Sequence, residues 1–134
     1  MVAGTSAGYT CLPLTDGAHL SEVAPLIVVS FLFIFGREVV QDLDDERIDG
    51  GYKWTIPLAF GRRVGRNAAL AMLTLSLLVT VSMYPFVTPA IAVAAWGASM
   101  VAADNKLRKA RHYLDAGITL TLFILIALGQ GSRP

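Results

Sequence analysis

The stretch SEVAPLIVVSFLFIFGREVVQDLDDERID, residues 21–49, decides how this chain is read. Its first half is apolar on every side: Ala24, Ile27, Val28, Phe31, Leu32, Phe33, Ile34 and Phe35 leave no polar stripe. A helix of that kind belongs in lipid, where backbone groups are satisfied internally. Its second half is acidic. Six of the chain's ten acidic residues, Glu38, Asp42, Asp44, Asp45, Glu46 and Asp49, follow the apolar run. At the C-terminal end of a helix the macrodipole disfavours each of them by a few tenths of a kcal/mol. Helix stability therefore does not account for the cluster.

Outward from this stretch, the rest of the chain predicts an all-α, polytopic membrane bundle of about four transmembrane helices. Of 134 residues, 54% are hydrophobic and 16% charged, against about 25% charged in soluble domains, and the mean hydropathy is +0.58. The apolar runs place spans at residues 21–40, 67–84, 86–103 and 116–128, in a single unit over residues 1–134 with no second soluble domain. In the third span, Ala92, Ala95, Gly97, Ala98 and Ser99 invite close helix approach. Residues 1–16 lack the order of a signal peptide and are expected to be a loop or the cut end of something longer. Cys11 is the only cysteine, which leaves no internal disulfide.

Charge fixes an expected orientation. Arg37, Arg47, Lys53, Arg62, Arg63 and Arg66 lie between the first and second spans, and Lys106, Arg108, Lys109 and Arg111 between the third and fourth. Only Arg133 lies on the other side, so the positive-inside rule makes the acidic run and both basic loops cytoplasmic. Residues 49–65, with Tyr52, Trp54, Pro57 and Phe60, read as an interfacial segment over that end of the bundle. A net charge of +1 gives no reason to expect nucleic acid, and His19 and His112 have no partner at metal or triad spacing.

If the first helix continues past the bilayer, Glu38, Asp42, Asp45 and Asp49 follow i, i+4, i+7 and i+11 and share a face. Carboxylates stacked in this way repel one another unless a cation bridges them, and hard oxygen donors suit Mg²⁺ together with a phosphate-bearing substrate. Lys53, Arg62, Arg63 and Arg66 are close enough in sequence to meet a diphosphate. A solvated charged loop at a membrane boundary is the alternative that spacing alone leaves open.

The string Gly36-Arg37-Glu38-Val39-Val40-Gln41-Asp42-Leu43-Asp44-Asp45-Glu46-Arg47-Ile48-Asp49, then Lys53-Trp54-Thr55-Ile56-Pro57 and Gly61-Arg62-Arg63, resembles the second aspartate-rich motif of the UbiA superfamily of intramembrane prenyltransferases. The family pattern is approximately R-E-[IV]-x-K-D-x-[ED]-D-x-x-G-D, followed by T-[LI]-P and a Gly-Arg pair. Gln41 stands in place of Lys and Ile48 in place of Gly, the gap from Asp49 to Thr55 is slightly short, and no carboxylate is lost. The resemblance implies an enzyme that uses Mg²⁺ to transfer an isoprenyl group from an isoprenyl diphosphate to an aromatic or other hydrophobic acceptor. It implies Asp42, Asp45 and Asp49 as metal ligands and Arg37 and Lys53 as diphosphate contacts. The family's first motif, N-D-x-x-D-x-x-x-D, has no counterpart in residues 1–20. The four spans correspond to the C-terminal half of the family's fold, and a truncated product, a split enzyme and a homodimer are all compatible with that. No catalytic residue is assigned, and activity is expected to need a chain that supplies the missing N-terminal half.

Two other readings compete. CDP-alcohol phosphotransferases also place aspartates at a membrane edge, but Asp49-Gly50-Gly51-Tyr52-Lys53-Trp54 breaks their pattern. A non-catalytic four-span transporter or assembly subunit is the other; a transporter is expected to hold an acid inside a span, whereas the acids here fall at or beyond the expected span ends.

Overall fold

Apolar runs punctuated by Pro and Gly build a chain of helices, and the computed structural model describes residues 20–45 and 55–131. The order is α1 (Leu20–Asp45), α2 (Ile56–Phe60), α3 (Arg62–Met83), a 3-10 turn at Pro85–Val87, α4 (Thr88–Ala102) and α5 (Leu107–Gly131). Among the described residues there is no strand. Neighbours in space are α1 with α3, α3 with α4, α4 with α5, and α5 with α1, with α2 lying against α3 and α1. The four long helices thus close into a bundle, and short connections reverse the chain at Tyr84–Val87 and at Ala103–Lys106, which sets α3, α4 and α5 antiparallel in succession.

The seams set small residues against larger apolar ones. On α1, Phe33, Gly36, Val40 and Leu43 are buried, recurring every three or four positions, and face Ala69 and Leu73 of α3. Ser76 is almost wholly buried on the same seam and donates to the Val29 carbonyl at 3.0 Å, which satisfies its hydroxyl across the helix pair. On α4, the buried set is Ala90, Ala94, Gly97 and Val101. It meets Ala110, Leu114 and Gly117 of α5, and a Cβ on Gly97 would fall 2.9 Å from the Ala110 carbonyl oxygen. Of the small residues picked out by composition, Gly97 lines the seam, while Ala92, Ala95 and Ser99 face outward.

The outer surface is apolar. Leu78 is 60% exposed and Phe123 70%, with Val28, Leu75, Trp96 and Ile126 also open. A surface of this kind is suited to hydrocarbon rather than water. Among the described residues, three helical stretches are long and apolar enough to cross a membrane, Arg62–Met83, Pro85–Ala102 and Leu107–Leu128. The expected first span lies in α1, where the apolar residues 24–35 give way to Arg37, Glu38, Asp42, Asp44 and Asp45.

The boundaries differ from the sequence expectation in one consistent way. α3 begins at Arg62 instead of residue 67, and α5 at Leu107 instead of residue 116. Basic side chains that looked like loop are first turns of helices, because long Lys and Arg stems reach water from a helix that has already begun. Asp115 consequently sits inside α5, which corrects the expectation that every acid lies at or beyond a span end.

Candidate functional site: the charged end of the bundle

α1 remains helical to Asp45, so the predicted extension beyond the apolar run is present. At about 100° per residue, Glu38, Asp42 and Asp45 fall on one side of α1, roughly opposite the stripe of Gly36, Val40 and Leu43 that packs on α3. The carboxylate stripe is therefore turned away from the core that α1 shares with α3. Asp49 and Lys53, the other expected ligands, lie outside the described residues. Among the described residues no three His, Cys, Asp or Glu side chains converge as a metal site.

The arginines around α1 are engaged with the chain's own acids. The Arg37 guanidinium donates from Nε to Asp115 Oδ1 at 2.9 Å and from Nη2 to Asp115 Oδ2 at 3.2 Å, a bidentate pair that ties α1 to α5. Its Nη1 donates to Glu38 Oε1 at 2.9 Å and to Gln41 Oε1 at 2.7 Å. The expected diphosphate contact is thus also a cross-bundle clasp, and it fixes the carboxylate of the first acid on the stripe. Asp115 is a site residue that the sequence reading missed. The available signal was a lone carboxylate one helical turn past Arg111, entering an otherwise apolar run.

Arg62 closes the other side. Its Nη1 donates to the Leu43 carbonyl oxygen at 3.1 Å, placing a cation on the C-terminal turn of α1, where the macrodipole favours it. Its Nε and Nη2 donate to Asp104 Oδ2 at 3.1 Å and Oδ1 at 2.8 Å. Arg66 approaches Asp104 to 3.9 Å, and Arg108 approaches Asp44 to 3.9 Å. The unfavourable dipole of α1 is thereby countered by cations from α3 and α5, an explanation for part of the acidic run that the sequence alone did not reveal.

Asp104 earns its place against a backbone preference. The Asn105 amide donates to the Met100 carbonyl and the Asp104 amide to that of Val101, at 3.1 and 3.0 Å, which is the Schellman closure of α4. The residue at that corner is left-handed, φ +50°, where glycine is usual and aspartate tolerable. What an aspartate adds is the carboxylate that meets Arg62. The Arg62 hydrogen bonds, aided by the charges of Arg62 and Arg66, hold the Asp104 carboxyl below its ordinary range against a smaller desolvation effect. A depressed carboxyl stabilises the fold above its unfolded pKa, about 3.9, and the contribution disappears as pH falls through the folded value. Asp104→Ala is expected to lose both the pair, a few tenths of a kcal/mol for so exposed a contact, and the tolerated left-handed corner, whereas Asp104→Gly loses the pair and gains the residue that corner favours. Thermal unfolding in detergent at neutral pH should rank Ala below both parent and Gly. The stability of the parent relative to Gly should fall on acidification below about pH 4.

Compared with protein-family models, with curated proteins and with solved structures, the chain matches none.

Proposed function

We propose that this chain is an integral membrane helical bundle that supplies the second diphosphate-binding wall of a UbiA-type, Mg²⁺-dependent prenyl transfer site. The observation that carries the reading is the stripe of Glu38, Asp42 and Asp45 on an unbroken α1, turned away from its own core and embedded in a string that resembles the family's second motif. The donors are all carboxylate oxygens, which suit Mg²⁺ in kind. Asp42 and Asp45, with Asp49, hold the metal in this reading, and Lys53 meets the diphosphate. Bound Mg²⁺ neutralises the charge of the departing diphosphate.

The protein's own residues do the rest. Arg37, clasped by Asp115, orients Glu38, the first acid of the stripe. The apolar outer surface near the acids keeps water from the allylic end of an isoprenyl donor. The opposing wall comes from residues outside this sequence, in the same polypeptide or another, and the acceptor is an aromatic or other hydrophobic molecule. The positive-inside rule puts the charged end on the cytoplasmic side.

The test is ligand-dependent unfolding of the detergent-solubilised chain with Mg²⁺ alone, Mg²⁺ with inorganic pyrophosphate, and Mg²⁺ with geranyl diphosphate. At a ligand concentration near 100 times Kd, stabilisation of about 2.7 kcal/mol is expected. Asp42→Ala combined with Asp45→Ala should erase it. No shift with any ligand, in the parent chain, would remove the basis for a diphosphate site.

A second reading is favoured by one observation: Arg37 and Arg62 donate to the chain's own acids and a carbonyl, and Arg108 lies 3.9 Å from Asp44. A non-catalytic transporter or assembly subunit could use the charged end purely to lock its helices. In that case, the Asp42 and Asp45 substitutions change stability without any ligand and no ligand shifts the parent.

A further inference from the structure

The outward face of α5 carries a graded sequence that the diphosphate reading does not use and that the helix packing uses only at Tyr113, whose Cβ would lie 3.1 Å from a Cβ on Gly97. Lys109, Tyr113, Ala116, Leu120 and Phe123 recur at helical spacing, Lys106 precedes the first turn with φ +53°, and all six are exposed. The buried face, Leu107, Ala110, Leu114 and Gly117, lies on the other side of the helix. Lys109, His112, Tyr113 and the small Ala116 line a shallow open hollow.

The two lysines are not spoken for. Arg62, Arg66 and Arg108 approach carboxylates, whereas among the described residues Lys106 and Lys109 approach none. Exposed cations at the end of a membrane-crossing helix attract anionic headgroups, by about 1 kcal/mol for each Lys near the surface. Tyrosine with its hydroxyl toward water and its ring toward hydrocarbon marks headgroup depth. From Tyr113 to Phe123 the helix rises about 15 Å, half the thickness of a bilayer's hydrocarbon core, about 30 Å. Cation, interfacial ring, small-residue hollow and apolar strip follow one another in the order of an anionic phospholipid's phosphate, glycerol and acyl chain.

We infer that this face of α5 is a binding site for one anionic glycerophospholipid of the leaflet at the charged end, with its phosphate between Lys106 and Lys109 and an acyl chain along Leu120 and Phe123. The apolar half of the face selects a lipid over a free phosphate. With no carboxylate paired to either lysine among the described residues, the face favours an anionic headgroup over a zwitterionic one.

The experiment is native mass spectrometry of the full chain released from nanodiscs of phosphatidylcholine mixed with phosphatidylglycerol. The parent is expected to retain one phosphatidylglycerol in preference to phosphatidylcholine. Lys109→Gln should reduce that preference about fivefold, the equivalent of about 1 kcal/mol, and Phe123→Ala should weaken retention of both lipids. Arg63→Gln is the control, because Arg63 is an exposed cation at the same end on another helix, and it should leave the preference unchanged. The inference is overturned if Lys109→Gln has no effect, if Arg63→Gln lowers the preference equally, or if glycerol phosphate displaces the lipid at comparable concentration. These outcomes do not depend on Mg²⁺ or on any isoprenyl diphosphate.

Discussion

Gly117→Leu is expected to pry α4 from α5 and to lower the unfolding midpoint more than any other single packing change in the bundle. A Cβ at Gly117 would lie 2.8 Å from the Ala94 Cβ, 3.1 Å from the Ala90 carbonyl oxygen and 3.2 Å from the Ala94 Cα. Two of those three atoms are backbone, and the third is the first atom of a side chain that has no rotamer to change. Relief can come only from separating the helices. That separation also opens the register above, where a Cβ on Gly97 would meet the Ala110 carbonyl oxygen at 2.9 Å. Overpacking of this kind costs about 1–3 kcal/mol, and helices in lipid, which gain little from hydrophobic burial against one another, depend on such close approach. Gly117→Ala should give a smaller loss. Ala95→Leu, on the exposed face of α4, should give none. Denaturation in mixed micelles with a rising fraction of ionic detergent would rank the three. A Gly117→Leu protein as stable as Ala95→Leu would show that α4 and α5 are not held by this seam.

The comparison between sequence and structure turns on what local pattern can encode. That residues 67–84, 86–103 and 116–128 are largely helical follows from apolar runs long enough to cross a bilayer; α5 contains the last of them, while α3 stops at Met83 and α4 starts at Thr88 after a 3-10 turn and stops at Ala102. The starts of α3 and α5 were not legible. Arg62, Arg63 and Arg66, and then Arg108, Lys109 and Arg111, read as topogenic loop charges, and no local signal distinguishes a loop arginine from one on a first helical turn. The phase of α4 was legible only in part: composition marks a helix rich in small residues, but Ala90 and Ala94 take the seam in place of Ala92 and Ala95 because α5 defines which side is inside. At the charged end the limit is sharper. Arg37 and Asp115 are 78 positions apart and Arg62 and Asp104 are 42 apart, so each pairing exists only once the bundle has closed. Spacing along α1 could align Glu38, Asp42 and Asp45, but it could not show that the stripe faces away from the α3 seam.

The second large effect is expected at the clasp between α1 and α5. Asp115→Ala removes both acceptors from the Nε and Nη2 donors of Arg37, whose side chain is only 23% exposed. Truncating one partner of a charge-assisted bidentate pair leaves a poorly hydrated cation, and a loss of about 1.5–3 kcal/mol is expected in mixed-micelle unfolding. Arg37→Met should cost less, because Asp115 is 42% exposed and Glu38 44%, and both carboxylates can turn to water. The double variant, Arg37→Met with Asp115→Ala, should recover to within about 1 kcal/mol of the parent, since two apolar side chains leave no stranded charge. Such a cycle isolates the coupling of the pair, and additive losses would mean that the guanidinium is held by Glu38 and Gln41 without Asp115. The same cycle bears on the proposed function. If Arg37 also contacts a diphosphate, it must share donors that Asp115 now occupies, so Mg²⁺ with geranyl diphosphate should reduce the coupling measured between Arg37 and Asp115. A coupling unchanged by ligand, in a protein that the ligand nonetheless stabilises, would make Arg37 a strut of the bundle and leave the phosphate contacts to Lys53 and its neighbours.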